Sequence, residues 1–513
     1  MLESSAASDP ERLFLVDEIG PLTRAGAAEL ARRTSTALRS LGVEQGEPVA
    51  IMLDNRREFV ASWFGLAYLG AVEVPLNPAS FGEHLAHMLE HSTCRLAIVQ
   101  AEYLPQIEAL AGRLRRLERV VVVGDSEACR LPAIPWEELE AADPQPPVRL
   151  PDYADPVAVL YTSGSSGPAK GVVVSHGQHY VNGYQPTALF ELGPDDMIYV
   201  CLPLHHNMAQ GYGVWVALAS GAALRLTRRF DGDLFWPDVR AHGATVLPFV
   251  GAMLVLLAKR PKLPDDLDNP LRIGFGVPVP SVLHEAFEQR FGIELIHCYG
   301  STEATIVAWN HGRERVLGAV GRVLPDYKLR IVDEDDRPLP TGKIGQICIA
   351  AREPQTMFSG YFRDPERTAA AFQGDWFRTG DRGWLNSDGN LWFSDRMGDL
   401  IRRLGEMISS YDVEQAVLAH PEVKIAAAFP VPSELIEDEV MVAVVRQTGS
   451  RLEAGKLRSS CAERLPKHAV PRFIDFVDSL PMTPTGKVEK YKLRQRGVTS
   501  TTDDARARRE VSA

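Results

Sequence analysis

Apolar residues recur at helical spacing over 25–41 and stop at Gly42, a natural C-cap. EPVAIML (47–53) then predicts a strand, and EFVASWFGLAYLGAV (58–72) a helix apolar on nearly every side and therefore buried. RLAIV, RVVVVG, VAVLYTS, DMIYVCLP, AALRLT and ATVLPFV predict further strands, separated by stretches of helical patterning. Strands alternating with helices indicate parallel sheets with helices on both faces. The most apolar window, VLPFVGAMLVLLAK (246–259), carries an early proline and is too short to span a bilayer. A buried helix or a strand–helix pair is expected there.

From about residue 320 the pattern changes. YKLRIVDEDDRPLPTGKIGQICIA alternates in short strands around an acidic turn, and DGNLWFSDRMGDLIRR predicts another hairpin. DVEQAVLAHPEV, IAAAFPV, EVMVAVVRQ, KLRSSCAERLP and RFIDFVDSLP then form a unit of mixed helices and strands, near the usual size for independent folding. The expected fold class is α/β: a large N-terminal domain of parallel sheets flanked by helices plus a small β-rich subdomain, over 1–395, followed by a smaller mobile α+β C-terminal domain over 396–496. The tail 497–513 is polar, lacks aromatics and is expected to be disordered.

Composition narrows the function classes. At 513 residues the chain is too long for one ordinary core, and 45% apolar with 24% charged residues is typical of a soluble globular protein. A net charge of -12 argues against a nucleic-acid partner, while leaving room for a small anion held by a local positive cluster. The six cysteines, at 94, 129, 201, 298, 348 and 461, form neither a CxxC pair nor a zinc spacing, so a reduced, cytoplasmic setting is expected. The N-terminal MLESSAASDPERLFLVDE has no basic region followed by an apolar one, so no secretory signal is expected.

Between two apolar runs lies YTSGSSGPAKG (161–171), with three glycines, three serines, a threonine and a lysine. A Walker A loop counted from Gly164 would need glycine at 169 and Ser or Thr after the lysine; the chain has Ala169 and Gly171, and a strand-like VVVSH follows. The loop is not of that type. Its chemistry still suits a polyanion, because glycines expose backbone N–H groups, hydroxyls add donors and Lys170 adds charge. A random Gly/Ser loop would more often be a solvated hairpin connection, but Tyr-Thr-Ser-Gly-Ser-Ser-Gly-x-x-Lys-Gly is far more specific than a lone glycine pair.

On this motif the chain resembles the adenylate-forming superfamily of acyl-CoA synthetases, peptide-synthetase adenylation domains and luciferases, over about 25–495. MFSGYFRDPERTAAAF, IRRLGEMISSYDVE and MTPTGKVEKYKLR make it most similar to crotonobetaine/carnitine–CoA ligase-like enzymes. The resemblance implies that Thr162, Ser163, Gly164, Ser165, Ser166, Gly167 and Lys170 hold the phosphates of ATP. In CYGSTEAT, Tyr299 and Gly300 would border the adenine, Thr302 would touch phosphate or substrate carboxylate, and Glu303 with Thr162 would hold Mg²⁺. Gly276, Val277 and Pro278 of GFGVPVP would line the base, while Asp381 of DWFRTGD and Arg396 of SDRMGD would meet the ribose or a phosphate. Lys487, on a Gly/Pro loop, would stabilise charge as the carboxylate attacks the α-phosphorus, and His206 would sit by that carboxylate. The implied reaction has two halves. A carboxylate attacks Mg-ATP to give acyl-adenylate and pyrophosphate, and then a thiol, usually CoA, releases AMP while the small domain rotates.

Three positions depart from the pattern: His205 stands where an aromatic is usual, Gly398 at the pivot in place of Asp or Lys, and Met407 in place of Asn. His205, His206, Asn207 and Gln210 make the stretch LPLHHNMAQ polar, which suits a small polar or aromatic acid. The last two departures touch the face used for thioester formation. They leave open a carrier-protein thiol or an amine as acceptor, or nitrite as the activated oxyanion in a diazotase-type reaction. A binding-only role is disfavoured by retention of Lys170, Glu303, Asp381, Arg396 and Lys487. The partners implied are a small-molecule acid or oxyanion and CoA, with no nucleic acid and no membrane span, in a monomer or homodimer.

Overall fold

The computed structural model describes residues 1–125, 129–162, 169–281, 283–312, 314–396, 401–403, 406–432, 438–465, 467–482 and 488–505, with backbone alone at 84, 395, 396, 402, 406 and 407. Ser163, Gly164, Ser165, Ser166, Gly167, Gly398 and Lys487 lie outside the described residues, as does the side chain of Arg396.

The buried, β-branched runs build two large sheets. In the 8-stranded sheet, Val72–Pro75, Pro48–Met52, Leu96–Gln100, Arg119–Val123 and Ala133–Pro135 run parallel. Pro156–Thr162 joins Val72–Pro75 in parallel and turns back into Lys170–Ser175 as an antiparallel hairpin. In the 14-stranded sheet, Leu13–Val16, Ala223–Leu226, Met197–Val200, Val246–Val250, Ile273–Val277 and Glu294–Ser301 run parallel in that lateral order. Strands buried on both faces read as continuous apolar runs, as LAIV and VVVV do. The window 246–259 resolves as a strand–helix pair, Val246–Val250 followed by Gly251–Ala258.

The β-rich stretch after residue 320 is hydrogen-bonded onto the second sheet. Thr305–Asn310 pairs Gly321–Val323, which pairs Asn390–Arg396, and the sheet continues through Trp376–Leu385 and Gly345–Ala351 to Tyr327–Val332. The helix Arg57–Leu69 is buried from Glu58 to Leu69 and ends at Gly70, whose φ of 69° is the left-handed C-cap conformation. Its Phe59 lies in the largest core cluster together with Phe14, Phe235, Phe249 and Phe275, each side chain adding about 1.5–3 kcal/mol of burial.

Beyond residue 400 the apolar side chains gather into two further clusters of their own. They line a 4-stranded sheet of Val423–Pro432, Asp438–Arg446, Phe473–Phe476 and Asp503–Asp504. The last strand corrects the expectation of a tail disordered from 497. Asp504 meets Arg472 at 2.9 and 3.0 Å and Asp503 meets Arg458 at 2.5 Å, so arginines from the domain neutralise a stretch that looks merely polar in sequence. Residues 506–513 lie outside the described set. Among the described residues no helix is long and apolar enough to cross a membrane. All six cysteines are free.

Candidate active site

Parallel strands present their carboxyl ends, and the loops leaving them, to one edge of the sheet, where open α/β folds bind ligands. The segments singled out from sequence lie at such ends on neighbouring strands. His205 and His206 follow Met197–Val200, Val277 and Pro278 end or follow Ile273–Val277, and Tyr299 to Glu303 end or follow Glu294–Ser301. Thr162 ends its own strand in the other sheet and stands opposite Lys170 across the hairpin, so their side chains share a face.

Lys170 is the centre of the polar geometry. Its Nζ lies 2.7 Å from Glu303 Oε1 and donates to Tyr361 Oη at 2.7 Å, while Tyr361 donates to the same Glu303 oxygen at 3.1 Å. Glu303 is only 7% exposed. Burial pushes its carboxyl up, but Lys170 and Tyr361 together outweigh that and hold it below its ordinary 4.5. Burial and the adjacent Glu303 raise the Tyr361 hydroxyl, which stays protonated as a donor. The Oγ1 of Thr162 is buried with no hydrogen-bond partner among the described residues. This hydroxyl stands across the hairpin from Lys170, which itself meets Glu303, and a hydroxyl with an ionised carboxylate is a hard-oxygen donor set that fits Mg²⁺ shared with phosphates.

The turn that carries Thr302 and Glu303 is built tightly. A Cβ at Gly300 would lie 2.0 Å from the carbonyl oxygen of Thr305, so only glycine allows this approach. Thr305 itself has φ of 64°, a costly conformation for a β-branched residue, and its hydroxyl shares a 2.7 Å hydrogen bond with Tyr327. Gln178 Nε2 donates to the Thr302 carbonyl at 2.7 Å, and Phe358 N donates to the Glu303 carbonyl at 2.8 Å.

The residues expected around the nucleoside also come together. Tyr299 Oη donates to Asp381 Oδ2 at 2.9 Å, and both side chains are buried. The Asp381 backbone pairs with that of Arg396 across the hairpin of Trp376–Leu385 and Asn390–Arg396. Gly276 is buried where a Cβ would lie 2.0 Å from the Phe249 carbonyl oxygen, while Val277 and Pro278 are exposed at the strand end.

The histidine loop is held from below. Asn55 Nδ2 donates to the Leu202 carbonyl and its Oδ1 accepts from Leu204 N, each at 2.8 Å. The rings of His205 and His206 lie 4.4 Å apart, and burial, then His206, keep His205 neutral. Asn182 Nδ2 donates to Asn207 Oδ1 at 3.1 Å, Tyr212 Oη donates to Asn182 Oδ1 at 2.9 Å, and Ile306 N donates to Tyr212 Oη at 2.6 Å. This chain of bonds ties the histidine loop to the strand that follows Glu303. It runs through a π-helical turn, Gln210–Val214, a distortion common at functional sites.

Sequence reasoning missed Tyr361, Gln178, Asn182 and Tyr212 as site-building residues. Tyr361 stands 191 positions from Lys170, and no periodicity relates the two. Only its place in the segment MFSGYFRDPERTAAAF offered a signal.

A family model described as AMP-binding enzyme matches residues 2–362, and one described as AMP-binding enzyme C-terminal domain matches 412–487. The crotonobetaine/carnitine–CoA ligase of Salmonella paratyphi A (strain ATCC 9150 / SARB42) is 31% identical over 473 residues, covering 91% of this chain and 92% of that one. A benzoate CoA ligase from Burkholderia xenovorans LB400 superposes with a TM-score of 0.85 at 26% identity, over 96% of this chain and 98% of the other. The anthranilate CoA ligase AuaEII, in complex with anthranoyl-AMP, shares the fold with a TM-score of 0.88 at 24% identity, over 96% of each chain. The chain therefore belongs to the AMP-binding enzyme family, as an ATP-dependent adenylate-forming ligase of the acid–CoA type.

Proposed function

We propose that this ligase activates a small polar or aromatic carboxylic acid. The acid's carboxylate oxygen attacks the α-phosphorus of ATP, pyrophosphate leaves, and the acyl-adenylate is then attacked by the thiol of CoA to release AMP. The observation that carries this reading is the Lys170–Glu303–Tyr361 triangle beside the orphaned Thr162 hydroxyl, next to the strand ends bearing Tyr299 and His206. Mg²⁺ held by Glu303 and Thr162 would draw charge from the phosphates as the bond to pyrophosphate breaks.

Each residue present has a definite task. Lys170 places a positive charge at the mouth of the phosphate loop and keeps Glu303 ionised. Tyr299 and Asp381 are paired so that an aromatic face and a carboxylate stand together, as adenine and ribose require. Thr302 is fixed through its own carbonyl by Gln178, leaving its hydroxyl to meet the reacting oxygens. His206 lies on the loop that would face the acid, with the buried polar residues His205, Asn207 and Gln210 around it. The acids named for the relatives, crotonobetaine or carnitine and benzoate, are of the compact class this polar stretch suits. Lys487 and Arg396 complete the set, and we place the domain division at 395/396 with the C-terminal unit carrying Lys487 to the site in the cytoplasmic enzyme.

The test is pyrophosphate release across a panel of carboxylic acids, with CoA thioester followed by HPLC. Acid-dependent pyrophosphate and a thioester are expected. ATP consumption with nitrite and an arylamine, or acyl transfer only to an amine, would overturn the CoA reading. In Lys487→Ala, adenylation should fail while turnover of preformed adenylate survives; equal loss of both would count against its role in the first half-reaction.

A further inference from the structure

A second buried carboxyl in this molecule is built in the opposite way. Glu73 lies in Val72–Pro75, at the centre of the 8-stranded sheet, with Val49 and Ala158 as its cross-strand neighbours. Side chains alternate across a sheet. Val72 and Val74 pack into the outer cluster, whereas Val49 and Ala158 belong to the cluster containing the helix Arg57–Leu69. Glu73 therefore points to that inner side, where Gln210 of the π-helical turn is its polar neighbour.

Both residues are 0% exposed. Among the described residues, neither carboxyl oxygen of Glu73 and neither polar atom of the Gln210 amide makes a hydrogen bond of normal geometry, and the two groups approach each other. Burial pushes the Glu73 carboxyl well above its ordinary 4.5, and the nearby Gln210 amide only eases that rise. A carboxyl and a carboxamide together offer more donors and acceptors in an apolar core than their contact with each other uses. Buried polar groups left so need an explanation: a ligand, ordered water, or strain.

Position favours a ligand. Gln210 N donates to the His206 carbonyl at 3.1 Å, so Gln210 stands one helical turn beyond His206, a rise of about 6 Å. The backbone there cannot swing freely, since a Cβ at Gly211 would lie 2.6 Å from Asn182 Nδ2. A compact acid whose carboxylate lies by His206 would bring its far end to Gln210 and Glu73.

We propose that Glu73 and Gln210 form a specificity site for the far end of the acid, selecting substrates that carry an amine or hydroxyl about one helical turn from the carboxylate. The proposal rests on the acid-activating function above and adds the chemical class of the acid. An amine or hydroxyl there would donate to the Glu73 carboxyl and accept from, or donate to, the Gln210 amide. An unsubstituted acid would leave these groups unpaired, and a site built to hydrogen-bond a substrate discriminates strongly against the analogue lacking the group.

The experiment is acid-dependent ATP–pyrophosphate exchange on the full chain, comparing 4-aminobenzoate and 4-hydroxybenzoate with benzoate, and 4-aminobutyrate and 4-hydroxybutyrate with butyrate. In the wild-type protein at least one polar acid should exceed its unsubstituted partner by ~10-fold or more in kcat/KM. Glu73→Leu should collapse that ratio, chiefly through KM, and Glu73→Gln should retain part of it. A ratio near one in the wild type, or one that survives in Glu73→Leu, overturns the site while leaving acid activation intact. Exchange with no acid at all would instead overturn the function, and thermal unfolding then decides the site. A recognition carboxyl predicts that Glu73→Leu melts above the wild type, because an unpaired buried group has been replaced by an apolar one. A lower melting temperature shows a structural carboxyl, and an unchanged one shows groups satisfied by ordered water alone; either result overturns the proposal.

Discussion

Glu303 and Glu73 are carboxyls buried to nearly the same degree, at 7% and 0% exposure, yet their surroundings drive their pKa values in opposite directions. Glu303 sits at a sheet edge where Lys170 and Tyr361 reach it from two other segments, and it is held ionised. Glu73 sits in mid-sheet with a single amide for company, and burial pushes its carboxyl well above the ordinary 4.5. The protein thus keeps one carboxyl that can balance cationic charge and another that can both donate and accept a hydrogen bond. Depth of burial does not separate them; the partner set does.

The sharpest break of this comparison is Glu303→Gln, which keeps shape and removes charge. Adenylate formation in a single turnover should fall by about 10²–10³-fold, the scale seen when one preorganised charge-stabilising group is lost. A rate within a few-fold of wild type would mean that the ionised state of Glu303 is incidental. Lys170→Met attacks the same pair from the other side and strands a buried carboxylate. Lys170 is itself 26% exposed, so the loss of stability should fall below the range for fully buried pairs, at about 2 kcal/mol by urea unfolding. An unchanged urea midpoint would show that Tyr361 alone suffices to hold Glu303.

The pH dependence of stability should differ in sign between the two carboxyls. Glu303 is depressed in the fold, so its contribution is present above the ordinary 4.5 and is lost as pH falls through its folded value. Glu303→Gln should therefore be less stable than wild type near neutrality and converge with it in acid. Glu73 is raised in the fold, so its contribution is full below 4.5 and fades as pH rises. Glu73→Gln should match wild type most closely in acid and gain on it as pH rises. Urea midpoints between about pH 2 and pH 8 measure both trends, the Glu303 one below 4.5 and the Glu73 one above it. Parallel curves would erase the distinction.

Much of this was legible in the sequence, for reasons that differ by residue. Apolar runs such as RLAIV and ATVLPFV revealed the parallel strands because burial on both faces leaves continuous hydrophobicity. Thr162, Lys170, Tyr299, Glu303 and Asp381 were readable because each lies in a compact local motif. The fold supplies the rest, since Lys170 meets Glu303 through strand order and the mate of Asp381 is Tyr299, 82 positions away. Tyr361 and Gln178 were invisible as partners because their contacts are long-range and their local sequence says nothing of direction. Glu73 was hidden for another reason: the apolar run that predicts a helix through Val72 takes in the start of the strand Val72–Pro75, and only the second sheet behind it turns the Glu73 side into an interior.

Tyr361→Phe makes the smallest change and asks which partner of Glu303 matters most. The ring and its packing on Phe358 remain, while the hydroxyl that accepts from Lys170 and donates to Glu303 is removed. The charge of Lys170 opposes the burial of Glu303 more strongly than the tyrosine hydroxyl does. The carboxylate should therefore remain ionised at neutral pH, with its folded pKa rising only slightly. Stability should drop by about 1.5 kcal/mol, the low end for a hydrogen bond to a charged group, and the KM for ATP should rise by less than about tenfold. A loss of adenylation as large as that of Glu303→Gln would place the tyrosine hydroxyl, rather than the lysine, in command of the site. The contrast with Glu73 would then be one of hydrogen bonding and not of charge.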